Sequence, residues 1–156
     1  MTETADLRRK FWKALSDSPF LFLQRDGDPH GAVPMTAQLD EDADSAIWFF
    51  TSSDHTLAAG GAATAIFVGK GHDMFARFTG RLVPETSRER LDRQWSKSVE
   101  AWFPGGKDDP KLLMLRMELG RAEIWNSDRG FFDNMKSLLG FDAREDARGE
   151  HTETSL

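Results

Sequence analysis

A run of hydrogen-bonding side chains directly follows a bulky apolar segment near the first third of the chain. The apolar segment is "IWFF", residues 47–50, and a stretch of small residues ends the region at Gly60 and Gly61. The polar side chains are those of Thr51, Ser52, Ser53, His55 and Thr56. Hydroxyls and main-chain amides at a helix start can receive an anion, and an apolar strand can support a flat ring. The residues alone leave the alternative open that "IWFF" is core and "TSSD" is an ordinary helix cap.

Several other chemistries lack their patterns in this sequence. There is no cysteine, which excludes disulfides, thiolate metal ligands and cysteine nucleophiles. No G-x-S-x-G elbow, P-loop or G-x-G-x-x-G motif is present. No two of the four histidines are three or four residues apart, so we expect no metal site. We find no convincing acid–base pair, and the catalytic residues therefore stay unassigned.

Composition favours one domain that does not engage membranes or nucleic acid. The chain has 156 residues and a formal net charge of −6, with its lysines and arginines dispersed. Such an acidic chain is a poor candidate for nucleic-acid binding. No segment approaches the roughly 20 apolar residues that span a bilayer, and the N-terminus lacks the apolar centre of a signal peptide. We therefore expect a cytoplasmic protein.

Hydrophobic periodicity predicts about six strands. They are expected at residues 20–25, 32–39, 46–52, 63–68, 74–82 and 113–125. In the last of these, apolar residues occupy odd positions up to Leu119 and even positions from Ala122. This change of parity at Gly120 predicts a β-bulge or a barrel corner.

Three helices are predicted around these strands. Residues 5–16 have the period of an amphipathic helix. A second helix carries an apolar stripe from Leu91 to Trp102 and begins at a capping box of Thr86 and Glu89. A third is expected between residues 128 and 140.

Together these elements predict a mainly β protein with peripheral helices, of the α+β class. The strands follow one another with one helical insertion before the last, which favours an antiparallel sheet over a doubly wound one. Closure or partial closure into a barrel would remove exposed edges. We expect the domain to cover residues 1–142, and residues 143–156 to form a polar, disordered tail.

Four fragments in order resemble one known family. They are "GAVPMTAQ", "AIWFFTSSDHTLAAG", "DMFARFTGRL" and "WFPGGKDDPKLLMLRMELGRAEIWNS". Together they resemble the bacterial general stress proteins of the pyridoxamine-phosphate-oxidase-like, FMN-binding split-barrel family, over residues 5–140. The resemblance implies a six-stranded antiparallel split barrel, a homodimer, and FMN in a cleft between the subunits. It also implies a flavin-dependent oxidoreductase or a flavin-binding stress protein, without naming a substrate.

The same resemblance implies a set of flavin contacts. Val33, Pro34 and Met35 would lie along the isoalloxazine edge, and Phe50 would belong to the apolar strand that supports the ring. Thr51 and Ser52 would lie near the pyrimidine ring or the ribityl chain. The phosphate would lie near residues 53–56, of which Ser53, His55 and Thr56 are the candidates. Trp125 would approach the cleft, in one arrangement from the partner subunit.

Two departures from the family pattern concern the phosphate. Many flavin-binding relatives have arginine where this chain has Val33, and lysine where it has Thr56. The negative charge would then need helix-start amides, His55, or one of four cations. These cations are Lys70, Arg77, Arg81 and Lys111.

The departures leave alternative functions open. One is a dimeric binding module that has lost FMN, and another is a split barrel for haem or a deazaflavin, with His30, His55 or His72 as the haem ligand. Oxidation of pyridoxamine phosphate is not expected, because the C-terminal segment lacks a second set of basic residues for the substrate phosphate.

Overall fold

The fold is built on one antiparallel sheet with its helices at the periphery. The computed structural model describes residues 3–41, 46–127 and 150–156. Its strands are β1 (Phe20–Arg25), β2 (Val33–Thr36), β3 (Ala46–Ser52), β4 (Gly61–Val68), β5 (Met74–Pro84), β6 (Leu112–Asn126) and β7 (Glu150–Ser155). Its α-helices are α1 (Glu3–Asp17), α2 (Arg88–Gln94) and α3 (Lys97–Glu100). Short 3₁₀ turns occupy Thr56–Ala59 and Gly106–Asp108.

The strand order is β2-β1-β4-β5-β6-β3, with β7 paired to β6 off this path. The two outer strands of the path approach each other through an isolated bridge between Gln38 and Trp48. The sheet is therefore curved towards a barrel without being closed, as a split barrel requires. The predicted fold class is confirmed, and the described residues contain seven strands where six were expected.

Strand β6 organises one side of the sheet because it pairs with three strands. Residues 112–118 pair with β3, residues 115–126 with β5, and residues 121–126 with β7. Opposite β5, the register passes from Phe78↔Ala122 to Gly80↔Leu119, which leaves one extra residue on β6. That extra residue is the bulge predicted from the parity change at Gly120.

The core fills the concave side of this sheet. Leu7, Phe11 and Leu15 recur at helical spacing on α1 and are fully buried. The Phe11 ring lies 6.0 Å from the ring of Phe67 on β4 and 5.5 Å from that of Phe78 on β5. The amphipathic stripe of α1 therefore packs α1 onto β4 and β5.

The C-terminal tail was expected to be disordered, and for residues 150–155 that expectation is wrong. These residues form β7, in register from Asn126↔Glu150 to Arg121↔Ser155. Strand pairing needs main-chain donors and acceptors rather than apolar side chains. Because β6 extends beyond its pairing with β3, the main-chain groups on that edge of β6 are available to pair with β7. Two further contacts hold β7, a 2.9 Å hydrogen bond between the Thr4 and Thr152 hydroxyls and a 3.1 Å ion pair between Lys10 and Glu150. Residues 143–149 and the helix predicted from residue 128 lie outside the described residues.

The second predicted helix is two short helices. The amide of Arg90 donates to Ser87 Oγ at 3.1 Å, so Ser87 rather than Thr86 caps α2. Trp95 is extended, with φ −68° and ψ 135°, and ends α2. Ser96 then caps α3 by accepting from the Val99 amide at 3.3 Å. The serine before each helix accepts a hydrogen bond from a main-chain amide of the first turn, which would otherwise have no partner. The predicted single helix is therefore divided into two.

Candidate functional site

A groove of about 660 Å³ opens where β3 ends. Its walls come from β2, from the end of β3, from α3 and the loop that follows it, and from the turn before β6. Six residues predicted from the family resemblance line it: Pro34, Met35, Phe50, Thr51, Ser52 and His55. Residues distant in sequence thus converge on one concavity.

One wall of the groove is apolar and aromatic. Phe50 is held by an edge-to-face contact with Trp95, whose ring centroid lies 6.1 Å away. Val99 and Phe103 are buried beneath the groove, whereas Trp102 is 82% exposed at its rim. Flat apolar surfaces of this kind suit an aromatic ligand, because rings bury a large area and stack favourably.

Another part of the groove lining is polar and is placed by the pairing of β3 with β6. Ser52 lies opposite Leu112, and the amide of Ser53 donates to the Lys111 carbonyl at 2.8 Å. This pairing brings Lys111 to the groove beside the hydroxyls that end β3. Asp109 also lines the groove, and its carboxylate accepts from the amides of Gly105 and Lys111 at 2.9 Å each. Those two backbone hydrogen bonds, Lys111 first, lower the pKa of Asp109.

Asp54 lies between the serine and the lysine. Ser52 Oγ donates a short hydrogen bond to Asp54 Oδ1, and Lys111 Nζ lies 3.9 Å from Asp54 Oδ2. The hydrogen bond from Ser52, assisted by the charge of Lys111 and opposed by partial burial, holds the pKa of the Asp54 carboxyl below its usual value. A negative charge therefore stands beside Ser52 and Lys111, two residues that line the groove.

The main-chain amides at this turn are largely used within the protein. Those of Ser53, His55 and Ala58 donate to carbonyl groups at 2.8 to 2.9 Å. The Leu57 amide donates to His55 Nδ1 at 3.1 Å, so the imidazole itself caps the turn. Acceptance at Nδ1 leaves Nε2 as the nitrogen of His55 that could contact a ligand. These four amides are therefore not available to bind an anion, as the sequence-based expectation required.

Four predicted flavin-contacting residues do not line the groove. Val33 is half-buried and packs against the core, and Ser53 is exposed. Thr56 lines a separate cavity of about 310 Å³ beside Asp28. Trp125 stacks on His151 at a centroid distance of 5.3 Å on the outer face of β6. Contact of these residues with a flavin stays a prediction.

The separate cavity at Thr56 is organised by a buried carboxylate. Asp28 Oδ1 accepts from the His30 amide at 2.9 Å and lies 2.9 Å from His30 Nδ1. These contacts, the backbone hydrogen bond first, lower the pKa of Asp28. Arg25, which also lines this cavity, donates to the Gly60 carbonyl at 2.8 Å. The polar groups here satisfy one another and stabilise the turn.

Among the cations considered for an anionic ligand, Lys111 lines the groove. Arg77 is paired with Glu123 at 2.5 Å on the outer face of the sheet. Lys70 lies in the turn between β4 and β5, and Arg81 is exposed on β5. In the described part of the chain, the fixed positive charge on the groove lining is that of Lys111.

The groove residues that follow α2 were not identified from the sequence. These include Ser96, Ser98, Val99, Trp102 and Phe103, together with Asp109. The aromatic pair before a loop rich in glycine and proline is the signal that could have identified them, because connecting loops often carry binding residues. Trp102 was assigned to the apolar stripe of a single helix, and Phe103 to the loop that follows it.

A metal-type cluster lies elsewhere, on the outer face of β6 and β7. The ligand atoms of Glu123, His151 and Glu153 all lie within 4.8 Å of one another. Glu123 already pairs with Arg77 at 2.5 Å and with His151 at 3.0 Å. Its charge is thus balanced by protein groups.

No helix within residues 3–41, 46–127 and 150–156 is both long enough and apolar enough to cross a bilayer.

Comparison with known proteins identifies a family. The sequence pattern of the pyridoxamine 5'-phosphate oxidase like family matches residues 6–142. No curated protein matches the chain.

Solved structures of three bacterial proteins are similar to this chain. A Jannaschia sp. CCS1 protein described as general stress protein 26 is 30% identical, with a TM-score of 0.79, over 97% of this chain and 99% of that one. A general stress family protein from Xanthomonas campestris pv. campestris is 44% identical, with a TM-score of 0.74, over 81% of this chain and 91% of that one. The general stress FMN/FAD binding protein of Xanthomonas citri is 43% identical, with a TM-score of 0.73, over 78% and 89% of the two chains.

The matched pattern covers most of the chain, and the Jannaschia structure is similar to it over 97% of its length. The chain belongs to the pyridoxamine 5'-phosphate oxidase like family.

Proposed function

We propose that the groove at the end of β3 binds FMN and that the protein is a flavin-dependent oxidoreductase of unknown substrate. The observation that carries the proposal is the convergence of Pro34, Met35, Phe50, Thr51, Ser52 and His55 on one groove. Its volume of about 660 Å³ falls within the usual range of cofactor and small-molecule sites, roughly 300–1,000 Å³. The Xanthomonas citri relative, described as an FMN/FAD binding protein, supports the same ligand class.

Each wall has a role in this proposal. Met35, Phe50 and Trp102 provide apolar area for the isoalloxazine ring, and Thr51 and Ser52 provide hydroxyls for its polar edge or the ribityl chain. A bound flavin supplies hydride or electron transfer, while the protein supplies position, electrostatics and shielding from water.

We also propose a homodimer that covers the outer face of β1 and β4. Phe20, Phe22, Ile66 and Val68 are large apolar residues exposed on this face. Phe22 lies directly opposite Ile66 on one side and opposite Pro34 on the other. A contiguous exposed apolar patch of this kind marks an interaction site, and Pro34 continues it into the groove. A second copy seated there would add a wall to the flavin site.

The test is a spectrum followed by a titration. The purified protein is examined for flavin absorption, and the cofactor-free protein is then titrated with FMN while flavin fluorescence is recorded. We expect saturable quenching with a dissociation constant well below millimolar. Binding weaker than about 1 mM, less than about 4 kcal/mol, would overturn the proposal. A haem-type band in the isolated protein would instead favour the haem alternative.

The second candidate is a dimeric module that has lost the cofactor. Val33 and Thr56 stand where many relatives have cations, and the amides of Ser53, His55, Leu57 and Ala58 are bonded within the protein. If this second candidate is correct, the protein elutes as a folded dimer and binds no flavin. Size-exclusion chromatography carried out with the titration therefore distinguishes it from a misfolded sample.

A further inference from the structure

We propose that Lys111 and Asp54 set how the groove discriminates between flavins by the charge of the ligand's tail. Lys111 binds a tail anion and Asp54 opposes that binding, so a phosphate on the tail changes the affinity only slightly. The inference rests on the proposed flavin function and goes beyond it by naming two specificity-determining residues.

The charges on the groove lining identify the group that a ligand anion can contact. Two fixed charges belong to groove-lining residues in the described part of the chain, those of Asp109 and Lys111. The Asp109 carboxylate is satisfied by two backbone amides, at 2.9 Å each, so its role is to shape the turn before β6. The Lys111 ammonium is the cationic group that a ligand anion in this groove can contact.

Lys111 is positioned by the sheet and its ammonium is only loosely engaged. Its carbonyl accepts from the Ser53 amide at 2.8 Å, which extends the β3–β6 ladder by one residue. Its ammonium lies 3.9 Å from Asp54 Oδ2, beyond ordinary hydrogen-bonding distance, and both side chains are 71% exposed. An exposed ion pair at that distance contributes little, so a better-placed anion can replace it.

Asp54 competes for the same partners. One carboxylate oxygen accepts from Ser52 Oγ and the other faces Lys111 Nζ. A phosphate at this end of the groove would use the same hydroxyl and the same ammonium. It must therefore displace Asp54, and it also meets the repulsion of that carboxylate. A phosphate monoester carries nearly two negative charges at neutral pH, and one lysine beside one aspartate leaves that charge mostly uncompensated.

The proposal predicts a small preference between two flavins with the same ring. Riboflavin and FMN differ in the tail phosphate, so the ratio of their dissociation constants isolates the tail contribution. We expect this ratio to lie within about tenfold, which corresponds to about 1.4 kcal/mol.

Two substitutions should move the ratio in opposite directions. Lys111→Met keeps most of the unbranched side chain and removes its charge, and we expect FMN binding to weaken about tenfold while riboflavin binding changes less than about twofold. Asp54→Asn keeps the shape and the hydrogen bond with Ser52, and we expect FMN binding to strengthen by about threefold or more with riboflavin unchanged. Lys70→Met is the matched control, because Lys70 is an exposed lysine in the β4–β5 turn.

The titrations use the full chain, with far-UV circular dichroism and the melting temperature as checks on folding. If neither flavin binds the unsubstituted protein, the proposed function fails and this inference with it. If both flavins bind and Lys111→Met leaves their ratio as it was, the flavin function stands and this inference alone is overturned. An unchanged ratio in Asp54→Asn would remove the opposing role of Asp54.

Discussion

The indole Nε1 of Trp48 donates a 3.0 Å hydrogen bond to Oε1 of Glu85, which joins β3 to the residue that follows β5. Arg116, on the intervening strand β6, donates to the other carboxylate oxygen at 3.2 Å. The Arg90 guanidinium lies 4.1 Å above the Trp48 ring and brings α2 against the sheet. One carboxylate thus connects three strands on the side of the sheet next to α2.

Glu85→Gln should destabilise the protein. The Glu85 side chain is 10% exposed, and hydrogen bonds to charged groups are typically worth about 1.5–3 kcal/mol. We expect a loss of about 1–3 kcal/mol in the free energy of unfolding, measured by urea denaturation. Glu89→Gln is the control, because Glu89 pairs with Arg93 on an exposed helix surface, and we expect less than about 0.5 kcal/mol there. Equal effects of the two substitutions would contradict this role of Glu85.

The same carboxylate should make stability depend on pH in acid. Burial raises the pKa of Glu85, but the hydrogen bond from Trp48 and the charge of Arg116 outweigh it and hold the pKa below its ordinary value of 4.5. A folded-state pKa below the unfolded one contributes stability above the unfolded value, and this is lost as pH falls through the folded value. We therefore expect the urea concentration at the unfolding midpoint of the wild type to decrease as the pH is lowered below about 4.5. The same decrease should be smaller for Glu85→Gln.

Gly80→Ala should be costly because of the β6 bulge. A Cβ at Gly80 would lie 2.4 Å from the Glu118 carbonyl oxygen, so the main chain of β5 or β6 must shift. We expect a destabilisation of about 1–3 kcal/mol, as for other overpacked sites, measured by thermal and urea unfolding. At Gly71 the nearest atom to an added Cβ is the Asp73 carboxylate at 3.2 Å, which can move. Gly71→Ala should therefore be close to neutral, and a mild Gly80→Ala would mean that the two strands separate easily.

Removal of residues 150–156 should weaken the sheet. β7 pairs with residues 121–126 of β6, and Leu156 packs against the core while its amide donates to the Gly120 carbonyl at 3.0 Å. We expect a lower melting temperature and faster amide hydrogen exchange in the β6 residues that face β7, because deletion restores an open edge. Unchanged exchange there would mean that β7 does not pair stably with β6 in solution.

Trp102 should contribute to ligand binding without contributing to stability. Its side chain is 82% exposed at the rim of the groove, so Trp102→Ala removes little packing. Loss of an aromatic stacking contact is worth about 0.5–1.5 kcal/mol, and we expect riboflavin binding to weaken by roughly three- to tenfold. Trp102→Phe should retain most of the affinity. Equal affinities of wild type and Trp102→Ala would remove the residue from the site.

The apolar face of β1 and β4 should control the oligomeric state. A charged side chain cannot be buried there without a partner, so Phe22→Lys combined with Ile66→Lys should give a monomer by light scattering. The groove borders this face through Pro34, so we expect weaker FMN binding as well. Glu89→Lys is the control, because it introduces a lysine on the exposed surface of α2, outside β1 and β4. A wild type that is monomeric at micromolar concentration would overturn the dimer.

Local patterns in the sequence were sufficient to identify most of the secondary structure. β1 and β3 occupy the predicted residues 20–25 and 46–52, and the parity change at Gly120 located the bulge. These features depend on side-chain periodicity, which is a local property because one face of each element must be buried. The cap of α2 was placed one residue early, since Thr86 and Ser87 are both able to cap a helix and only the backbone geometry distinguishes them.

The groove was only partly predictable because it depends on contacts between distant residues. The hydroxyl cluster at the end of β3 and the Pro34–Met35 pair were identified from the sequence, and Thr51, Ser52, Pro34 and Met35 lie in the groove. Ser53 and Thr56 of the same cluster do not line it. The sequence did not show which of the four candidate cations lies at the groove. Lys111 does so because the β3–β6 register brings it beside Ser52. The strand at residues 150–155 has no apolar pattern at all. The sequence alone determined which segments must bury a face, whereas tertiary structure decided which main-chain edges and which charges meet, because main-chain pairing and electrostatic proximity leave no local periodic signature.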